Sequence, residues 1–96
     1  MPKIENRFFL KEPQQIRYAE LITQLTGAPV ASGLSITQVA DRVNLMNKLK
    51  KISKADDSFI LSKEEIITIQ EVIKKTSWLQ AGQNVIDFDK YINSIK

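Results

Sequence analysis

Three carboxylate pairs, Asp56–Asp57, Glu64–Glu65 and Asp87/Asp89, are the residues of this chain with the spacing to do chemistry. Paired carboxylates hold Mg²⁺ through oxygen ligands or divide acid and base roles between them. None stands in a D-x-D-x-D-G type loop, and Glu64, Glu65 and Asp87 fall where a helix start favours negative charge, so turn and cap roles are expected for all three. Ser62 beside Lys63 pairs a hydroxyl with a base, but Ser62 followed by Glu65 is a capping box, which claims the hydroxyl for a backbone N–H. With no His and no Cys there is no imidazole base, no disulfide and no zinc-thiolate site. The three glycines are too scattered for a phosphate-cradling loop. The expectation is a protein that is not an enzyme and uses no metal or cofactor.

Binding chemistry has better candidates. Lys48, Lys50, Lys51 and Lys54, with Arg42 upstream, form a basic segment able to contact phosphates. Ser35-Ile36-Thr37-Gln38-Val39-Ala40-Asp41-Arg42-Val43 resembles the first helix of a helix-turn-helix, a resemblance confined to those residues. Such a motif turns within a few residues, whereas Asn44 to Leu49 continues the apolar period, so an unbroken helix is expected. For protein contacts the candidates are Phe9, Leu45 and Trp78. Alternation sends Phe9 outward if Phe8 and Leu10 face the core, Leu45 widens the apolar face of a middle helix, and Trp78 lies just past a helix end, where an indole either plugs the core or anchors an interface.

The elements that must position these residues follow from periodicity and caps. Phe8-Phe9-Leu10 and Phe59-Ile60-Leu61 read as short strands. Their unpaired edges would invite oligomerisation or strand addition. A first helix is expected from Pro13 to Thr26, with Tyr18, Leu21, Ile22 and Leu25 inward and Gly27 as a left-handed cap. Ser35 with Gln38 opens a second, long helix with an expected core stripe of Ile36, Val39, Ala40, Val43, Met46, Leu49 and Ile52 and with Arg42 on the outer side. Ser62 with Glu65 opens a third helix to about Lys75, buried through Ile66, Ile69, Val72 and Ile73. Val85-Ile86 reads as extended, followed by a last short helix capped by Asp87 and carrying Phe88, Tyr91, Ile92 and Ile95. The fold class expected is α+β and mainly helical, with about four helices and two short strands that pair with each other.

Length and composition point to one domain spanning residues 1–96. The chain has 96 residues, 43% of them hydrophobic and 26% charged, which is the composition of a foldable globular protein. Its net charge of +3 is spread over both halves. Apolar runs of three residues are far short of the roughly 20 that a membrane helix needs, and residues 1–6 lack the order of a signal peptide, so no membrane role and a cytoplasmic location are expected. Shifting the chain by about 51 residues sets Phe8 on Phe59, Leu21 on Val72 and Ile22 on Ile73, which suggests two strand-helix-loop-helix halves near 6–52 and 57–96.

The order of Phe8-Phe9-Leu10, Tyr18, the helix with Val39, Arg42 and Leu49, then Phe59-Ile60-Leu61-Ser62, Trp78 and Ile86-x-Phe88 resembles small uncharacterised proteins of tailed bacteriophages and prophages. That resemblance implies a virus-encoded accessory or structural protein acting through protein contacts, in the host cytoplasm or the virion. The leading expectation is therefore a protein-interaction or self-assembly module with a protein partner or a second copy. The alternative is a small nucleic-acid-binding regulator using Arg42 to Lys54.

Overall fold

The computed structural model describes residues 2–11, 15–28, 30, 33–52, 56–76, 78 and 82–95. In chain order the elements are β1 (Lys3–Glu5), β2 (Phe8–Leu10), β3 (Ile16–Arg17), α1 (Tyr18–Thr26), α2 (Ile36–Lys50), β4 (Ser58–Ile60), α3 (Lys63–Lys75) and α4 (Gln83–Ser94). This is a small, mainly helical α+β fold.

Both expected strands form, but each pairs elsewhere. β4 runs antiparallel to β1, with Ile4 opposite Phe59, and β2 runs antiparallel to β3, with Phe8 opposite Arg17 and an irregularity before Leu10. Strand pairing is a long-range choice. β1 carries one buried residue, Ile4, between exposed Lys3 and Glu5, enough to anchor a three-residue strand against Phe59.

Formation of β3 shortens α1. The helix expected from Pro13 starts at Tyr18, because Ile16 and Arg17 are extended and pair with β2; Pro13 itself lies outside the described residues. The N-cap residue Arg17 offers no side-chain bond. The first amides of α1 are satisfied from a distance instead: Tyr18 N–H donates to the Arg7 carbonyl at 2.8 Å and Ala19 N–H to the Asn6 side-chain oxygen at 2.9 Å. Asn6 is buried and also donates through its side-chain nitrogen to the Asp56 carbonyl at 2.8 Å and through its backbone to the Asp57 carbonyl at 2.8 Å. One side chain thus joins the end of β1, the start of α1 and the approach to β4.

Gly27 ends α1 in the right-handed region, not as a left-handed cap. Its value is space, since a Cβ there would come within 3.1 Å of Met46 Sδ on α2. Gly33 is the glycine with positive φ, at 79°.

α2 and α3 carry the two expected capping boxes, with Ser35 and Gln38 and with Ser62 and Glu65 bonding reciprocally. α3 buries Ile66, Ile69, Val72 and Ile73. α4 begins four residues ahead of the expected cap: Gly82 precedes it, Val85 and Ile86 are helical, and Asp87 lies inside, accepting from Gln83 Nε2 at 2.9 Å. The core joins Ile4, Ile22, Leu45, Leu61, Ile69, Phe88 and Ile92, all fully buried, to a run of rings in which Phe88 meets Tyr18, Phe9 and Trp78 edge-on.

Candidate functional site

α2 turns its expected stripe inward only at its C-terminal end, where Leu49 is buried and Ile52 packs against the core as expected; the N-terminal part of the stripe faces outward. Leu45 and Leu49 are buried against the core together with Arg42, whereas Ile36, Val39 and Val43 are 82%, 39% and 42% exposed and Ala40 is also exposed. At about 100° per residue the centres of these two faces lie roughly 140° apart, so the helix carries an apolar stripe on each side. Leu45, at 1% exposure, belongs to the core and not to a contact surface. Arg42, at 7% exposure, is likewise withdrawn from phosphate contact. A long aliphatic stem lets an arginine occupy such a position beside two leucines.

The rest of the basic segment is divided. Lys48 Nζ bonds Glu65 Oε1 at 2.7 Å. The same carboxylate accepts the Ser62 N–H at 2.8 Å and therefore closes the cap of α3 while tying it to α2. Burial pushes the Glu65 carboxyl up, but the bonds from Lys48 and from Ser62 outweigh it, and its pKa is lowered. Lys50 and Lys51 are exposed. Lys54 lies outside the described residues. α2 runs unbroken through Asn44 and Leu49, so the turn of a helix-turn-helix is not there.

The strand at Phe8–Leu10 also faces the other way. Phe9 is buried and stacks on Trp78 with centroids 6.1 Å apart, while Phe8 is 39% exposed. The strand has the opposite parity from the expected one, because alternation leaves either set free to turn inward and packing against Trp78 and against Phe88 of α4 selects Phe9. Trp78 is partly buried and packs on Phe9 and Phe88, the plug arrangement.

Phe8 is the residue that sequence reasoning missed. The Arg17 guanidinium lies 4.5 Å from its ring centre and Lys11 Nζ 5.7 Å from it. Two hollows meet at this ring. One, of about 440 Å³, has a mostly apolar floor of Phe8, Ala19, Leu49 and Ile52 and is edged by Arg17 and Lys50. The other, of about 480 Å³, is lined by Arg7, Tyr18, Asp87, Lys90 and Tyr91 with Phe8. Arg7 stacks over Tyr91 at 4.1 Å and pairs with Glu5, whose bond raises the guanidinium pKa. Arg17 is held by the Asp56 carbonyl at 3.1 Å and by Asp57 at 3.5 Å. The sequence signal was the interleaving of Arg7, Phe8 and Lys11. Arg17 and Lys90 come to the site only through tertiary structure.

At least one carboxylate of each pair has a partner within the fold, Asp57 being paired with Arg17. Asp87 accepts from Gln83, Asp89 from Asn93, and Glu65 from Ser62 and Lys48. Among the described residues no group of three or more acidic side chains is placed to hold a metal ion. No described helix is long and apolar enough to cross a membrane. Compared with protein-family models, curated proteins and solved structures, the chain matches none.

Proposed function

We propose that this chain is a non-enzymatic protein-interaction or self-assembly module, of the accessory or structural kind that its resemblance to phage and prophage proteins implies. The observation that supports this reading is the outer stripe of α2. Ile36, Val39, Ala40 and Val43 follow helical spacing on one exposed face, and a side chain such as Ile36 costs roughly 1.5–3 kcal/mol to leave in water relative to full burial. Contiguous aliphatic groups at this spacing are how an amphipathic helix meets a partner helix or groove. The capping box at Ser35 fixes the first turn, so the stripe is presented already ordered and loses little entropy on contact.

The test is solution mass by light scattering at low and high salt. Self-assembly through α2 predicts a mass above the 11.0 kDa of one chain, insensitive to salt because the contact is apolar, and returned to that of one chain by the double substitution Ile36→Ser with Val43→Ser. A wild-type chain that stays at 11.0 kDa up to about 1 mM overturns self-assembly through this face.

A further inference from the structure

We infer that the surface centred on Phe8 binds single-stranded nucleic acid, with the ring as a stacking platform and the flanking cations as phosphate contacts. This is a second function on a different surface from the α2 stripe. It also differs from the basic residues of the Arg42 to Lys54 segment, of whose described cations only Lys50 lines the hollows.

Three observations carry the inference. First, Phe8 is a 39% exposed ring at the junction of two hollows, the second of them a wide, open depression. Second, cations outnumber carboxylates around the ring, five (Arg7, Lys11, Arg17, Lys50, Lys90) to four (Glu5, Glu20, Asp57, Asp87). Arg7, Arg17, Lys50 and Lys90 line the hollows against Glu20 and Asp87, and Lys11 stands over the ring. The two ion pairs here, Arg7 with Glu5 and Arg17 with Asp57, have carboxylates 59% and 98% exposed. Such pairs are weakly held in water and can be exchanged for phosphate oxygens. Third, the floor of the first hollow is mostly apolar, through Phe8, Ala19, Leu49 and Ile52, which suits the face of a base better than a phosphate. An aromatic ring edged by arginines, with further lysines beside it, is the combination that binds strands with little regard to sequence. A duplex keeps its base faces stacked and cannot use the ring. The strand is therefore favoured over the duplex.

The probe is a fluorescein-labelled fifteen-nucleotide oligothymidylate, read by anisotropy on the full chain at 50 to 200 mM salt. The expected result is saturable binding that weakens as salt rises. Phe8→Ala is expected to weaken it roughly 5- to 150-fold, the range for one stacked base. Phe8→Leu keeps the apolar cover over the first hollow and is expected to lose nearly as much. Lys50→Gln with Lys90→Gln removes two phosphate contacts and should reduce the slope of log affinity against log salt by about 1.4. Ile36→Ser with Val43→Ser should leave strand affinity unchanged, which separates failure of this inference from failure of the α2 reading. The inference is overturned by no binding at 50 mM salt, by equal affinity for a duplex of the same length, or by Phe8→Leu binding like the wild type. It is also overturned if polyglutamate competes as well as unlabelled oligothymidylate, which would reassign the surface to an acidic peptide.

Discussion

Helices α2 and α3 share an opening signal, a serine followed three residues later by Gln38 or Glu65, and both form the same reciprocal cap. They differ in what the rest of the molecule does with them. α3 packs against α1, α2 and α4, and its four inward aliphatic residues are all buried. α2 is engaged chiefly through Leu45 and Leu49 in its C-terminal half, and its N-terminal half holds three large aliphatic side chains in solvent. A cap and a period settle that a helix forms and where it begins. Which of two apolar stripes turns inward depends on the neighbours, and for α2 that information lies in other elements.

The sharpest way to break this comparison is by deletion of side chains at matched positions. Ile69→Ala in α3 and Leu45→Ala on the inner face of α2 should each cost about 2–5 kcal/mol in urea denaturation. Ile36→Ala should cost less than about 0.5 kcal/mol, the usual range for a surface change. An Ile36→Ala penalty equal to that of Ile69→Ala would show the outer stripe to be covered in the free protein. A near-neutral Leu45→Ala would turn α2 around.

α1 extends the comparison, because it has no cap of its own and borrows one. Asn6→Ala leaves the Ala19 amide without its partner and takes one of two donors from the Asp56 carbonyl, which keeps Arg17, and should cost about 1–3 kcal/mol, the usual penalty for a buried unsatisfied group. Asn6→Asp should restore the bond to Ala19 while losing the donation to Asp56, and so fall between wild type and Asn6→Ala in thermal stability.

A smaller difference separates the two capping boxes. Ser62→Ala should cost about 1 kcal/mol and Ser35→Ala about half of that. The Ser62 box is partly buried and shares Glu65 with Lys48, whereas the Ser35 box is exposed.

The smallest effect is on pH dependence. The folded-state pKa of Glu65 is lowered from its ordinary value of 4.5, so its contribution is present above that value and is lost as pH falls through the lower, folded one. Glu65→Gln should flatten this acid limb of a stability profile. At the alkaline end burial raises the Tyr18 pKa above 10.0. Stability should fall as pH rises past 10.0, and Tyr18→Phe should remove that component.

Much of the helical content was legible. α3 was readable throughout, because its cap, its period and its lysine-rich end agree. The start of α4 was not, because Asp87 is a better cap by type than Gly82, and the bond from Gln83 that uses Asp87 inside the helix has no sequence signature. The strands were readable as strands and not as partners. A two-residue strand such as Ile16–Arg17 is too short to show alternation, and its formation removed the first turn expected of α1. The internal echo is uneven for the same reason: Leu21 and Val72 are both buried, but Phe8 is exposed where Phe59 is buried. The site residues followed the strands. Phe9 and Phe8 exchanged places by one step of parity, Leu45 and Arg42 went inward with the rotation of α2, and Arg17 reached Phe8 only because β3 pairs with β2.

The pairing of β1 with β4 also sets an order of events during synthesis. Glu5 leaves the ribosome 55 residues ahead of Ile60, a delay of roughly 3–11 s at about 5–20 residues per second. Throughout that interval Ile4 has no strand to lie against, and Asn6 can meet Ala19 but not the Asp56 and Asp57 carbonyls. Until the second half emerges, β1 has no partner strand and the two bonds from Asn6 to the Asp56 and Asp57 carbonyls cannot be made.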